Sequence, residues 1–479
     1  MKKVKHIALY TALGAMMAAG SSCKKYLDVN TNPNNPTDVP VATILSNAEV
    51  MITYTTGGNV SRMTSSVVQY YSGHRNQPYD YDRYKILPTD NDYTWSNLYA
   101  AMKNLRVAQQ KGYESQSYGY VGISQVLTAY TFSILTDMMG DIPVKQALRD
   151  DSTLTPAYDK QQDIYPYLQT MLDSGIVNLG KTSVGVDPAD DDLVYGGEKA
   201  NWIKLANSLK LRLYNHISKI DATAAQKFLA TSPALIEQNS EGAYVYYKAG
   251  AGNQNPIYQF DVLSGRTDEA ISQTFIDKLN AVNDPRKTLL LAPVQDNSNG
   301  FKGQYRGKAP GVNEEDPNLS LYSRVGSAYG DATAPVVIIS ASEVDFIKAE
   351  VALRAGDPAT AGVAYNKGIS DDFDFLGISS SLSAYVAQPS VAWNGTLQQL
   401  INQKYIAMFG TSTEAWVDWR KTGFPALTPA IGNFTGDVIP RKFPVSQTEV
   451  DLNGAQLAAG PGIPTPYVEL KKRVWWDVE

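Results

Sequence analysis

Apolar residues return at i, i+3 and i+4 through about 40 to 54, 93 to 111, 117 to 139, 161 to 178 and 200 to 220, and no comparable series of alternating residues interrupts them. That step lines one face of a helix, whereas a half-buried strand needs a step of two. The chain is therefore expected to be mainly α. In Asn201 to Lys219, Trp202, Leu205, Leu209, Leu213 and Ile217 fall near one face and Lys204, Asn207 and Lys210 elsewhere, the pattern of an amphipathic helix.

One stretch shows how such helices join. Ser342-Glu343-Val344-Asp345 has the form of a capped helix start, Phe346, Ala349, Val351 and Leu353 give an apolar side, and Gly356 is a stop. Asp357-Pro358 then opens the next helix, Asp as N-cap and Pro in the first turn. Ala361 and Ala364 let the two helices approach closely, so a tight hairpin of the tetratricopeptide kind is expected. A weaker hairpin is expected between Asn201 and Leu229, divided at Asp221. No regular repeat of ~34 residues runs through the chain, so a clean repeat array is not expected.

The single cysteine, Cys23, follows Met1-Lys2-Lys3-Val4-Lys5, an apolar run of 14 residues from Ile7 to Gly20, and the small residues Gly20-Ser21-Ser22. This reads as a lipoprotein signal peptide over residues 1–22, with Cys23 the lipidation site. The run is short of the ~20 residues a helix needs to cross a bilayer. Residues 23–38, rich in Asn and Pro, are expected to be a lipidated spacer, and residues 39–479 the folded domain. With Cys23 acylated, no thiol remains for a disulfide or a cysteine metal site. A net charge of −6 without a Lys/Arg-rich stripe after the signal argues against nucleic acid as a partner.

Tyrosine is the conspicuous side chain, 30 against 12 Phe, and two thirds of these are expected to line helix edges. Three irregular stretches, Asp187 to Lys199, Tyr246 to Arg266 and Gly300 to Asp331, separate the helical blocks, and the last two carry aromatic and hydrogen-bonding residues suited to ordered surfaces. The densest aromatic and polar cluster is Tyr70 to Trp95. Aromatic faces stack on the C–H face of a sugar ring while Asn, Asp and Arg replace lost water. Tyr79, Tyr81 and Tyr84, in a loop broken by Pro and Asp, are expected to be exposed, and with Trp95, Tyr258, Tyr322 and Arg324 they are the candidate ligand-binding residues. Trp95 has an equal claim to pack on Tyr99 in the core.

No His-x-x-x-His metal spacing, Gly-x-Ser-x-Gly nucleophile motif or phosphate-binding glycine loop occurs. His216 is expected to be a partly exposed helix residue. Glu414 and Asp418 share a helix face and are expected to pair with the guanidinium of Arg420, and Asp190-Asp191-Asp192 to be a solvated loop without EF-hand spacing. Trp475 and Trp476 should pack back onto the domain. No catalytic residue, metal ligand or cofactor is assigned.

Several segments in order resemble the SusD/RagB family of nutrient-binding lipoproteins. They are Ser22-Cys23-Lys24-Lys25-Tyr26-Leu27-Asp28, Met139-Gly140-Asp141-Ile142-Pro143 with Met139 where the family has tyrosine, Asp192-Leu193-Val194-Tyr195-Gly196-Gly197, Trp202 to Arg212, Glu414 to Pro425, Ile439-Pro440-Arg441-Lys442-Phe443-Pro444 and Val474-Trp475-Trp476-Asp477. The resemblance implies tetratricopeptide-like hairpins packed against a loop-rich, irregular half. It also implies a non-catalytic outer-membrane protein, lipid-anchored and facing outward, that binds oligosaccharide or peptide and passes it to a SusC-like TonB-dependent transporter. A surface glycan-degrading enzyme and a protein-only helical scaffold are the alternatives.

Overall fold

The computed structural model describes residues 39–149, 153–266, 268–296, 300–313 and 321–479. Cys23, the signal segment and the spacer lie outside the described residues. Helices dominate, as the apolar period requires. They are α1 (Val41–Thr55), α2 (Asp92–Ser115), α3 (Tyr118–Met139), α4 (Gln161–Leu179), α5 (Lys199–His216), α6 (Ala341–Arg354), α7 (Pro358–Phe375), α8 (Leu397–Ala407) and α9 (Ser412–Thr422), with shorter turns between.

Consecutive helices pack as antiparallel neighbours. α2 lies against α3, α3 against α4, α4 against α5, and α6 against α7, while α1 covers α2 and α6 joins α5 to α8. α3 is buried on nearly every face, because it has helices on several sides, and so its sequence carries less of an amphipathic stripe than its neighbours. The α3–α4 crossing is set by glycine. A Cβ on Gly122 would lie 2.5 Å from Leu179 Cγ and 2.9 Å from the Gly175 carbonyl oxygen, so only a bare backbone permits this approach.

The α6–α7 hairpin forms where the sequence places it, with one shift. Ser340, still in extended geometry after a strand, is the N-cap and accepts from the Glu343 N–H at 3.1 Å. Ser342 sits inside the helix and donates to the Gly368 carbonyl at 2.7 Å, pinning α6 to α7. Asp357 caps α7 by accepting from the Thr360 N–H, and Gly356 ends the first helix at φ +80°. The weaker hairpin after α5 survives as one short helix, Ala224–Leu229.

Strands occur as three antiparallel pairs: β1 (Tyr71–Gly73), β2 (Ala243–Tyr246), β3 (Glu269–Ile271), β4 (Leu291–Ala292), β5 (Arg324–Val325) and β6 (Pro335–Ile339) join as β1–β3, β2–β6 and β4–β5. They staple irregular segments to the helices. A connected apolar core runs from Leu45 to Trp476. Among the described residues no helix is long and apolar enough to cross a membrane.

Charges are sunk into this core in closed sets. Arg212 on α5 donates to both oxygens of Glu343 at 2.6 and 2.7 Å. His216, expected at the surface, is 2% exposed and lies 2.9 Å from Glu414 and 3.4 Å from Asp137. It is buried because α3, α9 and the chain end all close over the last turn of α5. Glu414 thus pairs with His216 and Arg212, and Asp418 with Lys404 and Lys421, in place of the expected Arg420. Arg420 instead donates to the Asp137 and Arg441 carbonyls and lies over the Trp416 and Trp476 rings. Trp476 is fully buried and donates to Asp137 at 3.0 Å, while Trp475 is half-buried against Tyr165. Asp192 is not solvated: it accepts from the Trp202 indole at 2.6 Å and from the N–H groups of Val194 and Gly197.

Candidate ligand-binding face

The three sequence stretches richest in rings and hydrogen-bonding groups, far apart in the chain, meet around β3. On one edge β3 pairs with β1, which follows Tyr70, and His74 donates its N–H to the Asp268 carbonyl at 2.8 Å. On the other edge Ile271 donates to the Ser323 carbonyl and Lys308 to the Ile271 carbonyl, both at 2.9 Å, and Ser323 in turn donates to the Arg306 carbonyl at 2.8 Å. Backbone bonds thus hold the 70–95 and 300–325 segments together across β3, while the 246–266 segment is tied in by its Asn255 N–H on the Ala332 carbonyl at 2.9 Å and by Asp261, which accepts from Arg324 at 2.9 Å.

Three rings, one exposed and two half-buried, gather where α1 ends and α2 begins. After α1 the backbone widens into a π-helical turn, Thr56–Val60, whose Gly57 and Gly58 lie against Pro256 of the 246–266 segment. Tyr54 at the end of α1 donates to the Gln259 side-chain oxygen at 3.3 Å, and Gln259 donates to the Gln254 carbonyl at 2.7 Å. Tyr247 lies 3.2 Å from the Thr53 hydroxyl. Tyr93, in the first turn of α2, is half exposed beside them. Burial raises the Tyr247 phenol above its ordinary range, and the neighbouring Tyr54 and Tyr93 hydroxyls add to that; Tyr93 is raised in the same direction by partial burial and Tyr54. Tyr93 and Tyr247 therefore stay neutral hydrogen-bonding groups at physiological pH.

A polar frame stands behind the rings. Asn59 donates to the Asp90 carbonyl at 3.2 Å and to the Thr94 hydroxyl at 2.9 Å, and accepts from Arg62 at 3.1 Å. The Arg62 guanidinium lies 3.8 Å over the Phe260 ring, with Arg266 5.6 Å from the same ring. Glu269, buried at the end of β3, has its carboxyl pushed up to about 7 by burial, against the pull of Arg62.

The candidate residues separate on this geometry. Tyr258, half-buried on the turn Pro256–Tyr258 capped by Asn255, precedes Gln259 and borders the rings. Tyr79 is half-buried, with the Arg83 guanidinium 3.9 Å over its ring and Lys308 5.6 Å away, in a second group that includes Phe434 and Tyr467. Tyr81 and Tyr84 are fully buried, against the exposure expected from the sequence. The segment that looked like a broken loop is a helix, Asn76–Asp82, and it turns Tyr81 toward Asp90 at 3.3 Å. The Tyr84 hydroxyl accepts from the Ala430 N–H at 3.0 Å, and burial pushes its phenol up to about 12.

Trp95 is buried and packs on Tyr99 with ring centroids 4.6 Å apart. Tyr322 is buried against His74 and the Arg306 guanidinium. Arg324 is committed to Asp261, donating at 2.9 Å, and burial lowers it to about 10. These three support the face from within and offer no ring or free guanidinium to solvent. The sequence pattern singles out neither Tyr54 nor Gln259, and it encloses Tyr93 and Tyr247 in its aromatic stretches without distinguishing them. The Gly57-Gly58 pair inside a helical pattern was the available signal.

Among the described residues no group of three or more His, Cys, Asp or Glu side chains is arranged to hold a metal ion.

A family model of SusD-like proteins, described as starch-binding and associating with the outer membrane, matches residues 33–444. No curated protein matches the chain. Among solved structures, one described as a chitin-binding protein superposes with a TM-score of 0.78 at 26% identity, covering 92% of this chain and 100% of that one. A chitin-binding SusD homologue from Flavobacterium johnsoniae gives 0.77 at 23% identity over 91% of this chain and 98% of its own. A SusD/RagB family protein from Bacteroides thetaiotaomicron gives 0.76 at 23% identity over 92% and 99%.

Proposed function

We propose, because the chain belongs to the SusD-like family of starch-binding, outer-membrane-associated proteins, that it is a non-catalytic carbohydrate-binding lipoprotein which captures oligosaccharide on the Tyr54–Tyr93–Tyr247 face. The observation that carries this reading is Tyr93: a half-exposed ring flanked by two more tyrosines and by the Gln259 amide. Such a surface stacks on the C–H face of a pyranose and hydrogen-bonds its hydroxyls at the rim. Tyr258 extends this face, and Tyr79 with Arg83 and Phe434 forms a second contact surface. Tyr81, Tyr84, Trp95, Tyr322 and Arg324 are positioning residues behind them.

The similar structure named for chitin binding makes β-linked N-acetylglucosamine oligomers the first ligand to try, and the family description makes α-glucans the second. Lipid on Cys23 would hold the domain at the outer membrane, facing outward. There a shared tether makes hand-over to a SusC-like TonB-dependent transporter effectively intramolecular. Two buried carboxylates that could have suggested hydrolysis, Glu414 and Asp418, are spent on His216, Arg212, Lys404 and Lys421, which favours binding over cleavage.

The test is titration of the mature protein with chito- and malto-oligosaccharides by calorimetry. Tyr93→Ala should weaken the bound sugar roughly fivefold to tenfold, the value of one stacking contact of ~1 to 1.4 kcal/mol, with no change in melting temperature. Unchanged affinity moves the site elsewhere, and shortened oligosaccharides after incubation would favour an enzyme.

A further inference from the structure

A cavity of about 340 Å³ opens on the helical side of the molecule, between α2, α3, α4 and the segment after α3. Arg106 on its wall stands thirteen residues along α2 from Tyr93 (93 to 106), or ~20 Å at 1.5 Å per residue, so it is separate from the ring-bearing face. The cavity's chemistry is unusual for a chain of net charge −6. Among the described residues its lining carries Arg106, Lys145 and Arg149 and no carboxylate. Arg106 and Arg149 are exposed and make no ion pair among the described residues. Lys145 has Asp159 3.7 Å away.

The remaining groups divide by function. Thr128, Thr170 and Ser174 donate their hydroxyl protons to the Ser124, Pro166 and Thr170 carbonyls at 2.7, 3.1 and 2.9 Å. Their oxygens are left as acceptors. Gln125 accepts from the Asn178 amide at 2.8 Å through its oxygen, which leaves its NH₂ to donate. Phe132, Leu148 and Met171 supply an apolar wall. Cations, acceptors for hydroxyls and an apolar surface in a volume at the small end of ligand sites call for a compact molecule with a carboxylate, several hydroxyls and a C–H face. A neutral sugar has no use for the guanidinium pair, and an acidic peptide, which brings a carboxylate and a few N–H donors but no hydroxyl-bearing ring with a C–H face, matches fewer of these groups.

We propose that this cavity is a second carbohydrate site, selective for uronic-acid saccharides of one or two rings, whose carboxylate is held by Arg106 and Arg149. The proposal does not rest on the ring-bearing face, and either can fail alone.

Calorimetry of the mature protein with digalacturonic acid tests it, with N,N′-diacetylchitobiose and the dipeptide Asp-Ala as comparisons. The di-uronate should bind, and its affinity should fall at least tenfold in the double variant Arg106→Gln/Arg149→Gln. It should also weaken as sodium chloride rises from roughly 0.05 to 0.5 M. Both arginines are exposed, so the variant should keep its melting temperature. Met171→Trp, which fills the cavity and leaves both charges in place, should abolish binding independently. Tyr93→Ala should leave it unchanged. Absence of di-uronate binding, equal binding by the double variant, equal binding by Asp-Ala, or loss in Tyr93→Ala overturns the assignment.

Discussion

His216 shows how much a single side chain can be misjudged from its neighbours in sequence. Beside Ile217, Ser218 and Lys219 at the end of an amphipathic helix it reads as a rim residue, yet it is buried between two carboxylates contributed by chain segments 79 residues before it and 198 after it (216 − 137 and 414 − 216). Nothing local encodes that. Burial alone would lower the imidazole, but Glu414 and Asp137 outweigh it and raise it to about 9, so the ring is an imidazolium at neutral pH. Glu414 is correspondingly held well below the carboxylate range, burial being overcome by Arg212 and His216. The folded pKa of the histidine lies above its unfolded value near 6.5. Its contribution is therefore complete below about pH 6.5 and is lost as pH rises through about 9. His216→Gln should cost ~3 to 5 kcal/mol at pH 6, since it leaves two buried carboxylates short of a cation. In urea unfolding followed by circular dichroism, the gap between variant and parent should narrow on going from pH 6 to pH 9.5. A gap that stays constant refutes the charged ring. Tyr81 and Tyr84 teach the same lesson, as polar neighbours suggested exposure while the helix Asn76–Asp82 and the turn that follows it carried both rings inward.

At the scale of elements the sequence was far more informative. All five periodic stretches are helices, and the α6–α7 hairpin begins and ends within two residues of its expected caps, because apolar period, cap and stop are all local signals. Helix contacts were less legible. The Ala residues of the hairpin suggested where close approach would occur, but the tightest crossing lies between α3 and α4, at Gly122 and Gly175. A glycine inside a helical pattern ordinarily counts against the helix, and only the partner helix explains it. Gly122→Val should force α3 and α4 apart and destabilise the fold by ~1 to 3 kcal/mol, read as a fall in the urea midpoint. The lining of the cavity between the same helices would shift with them. A variant as stable as the parent would show that Leu179 can move aside freely.

For the whole molecule, the order of motifs along the chain pointed to the family, and the family to a helical body carrying irregular segments. The proposed binding face was only half legible. The sequence picked out the segments that carry Tyr93, Tyr247 and Gln259, since long stretches rich in Tyr, Asn and Arg are themselves a signal, but not Tyr54, which sits in the ordinary helical pattern of α1. Which rings reach solvent depends on the β1–β3 pairing and on the edge bonds from β3 to Ser323 and Lys308, which carry no local pattern. The proposed lipid on Cys23 is tested apart from this face. Cys23→Ala should move the protein from the membrane to the soluble fraction while leaving its sugar affinity intact; recovery of the variant with membranes would dispense with the lipid.

The segment around Trp476 and Asp477 has a consequence for the buried ions. Trp476 closes over His216 and bonds to Asp137, and Asp477 takes both nitrogens of the Arg441 fork at 2.6 Å. These two side chains form a stopper: without them water would reach His216 and Asp137 directly, so a segment remote in sequence keeps the buried ions dry.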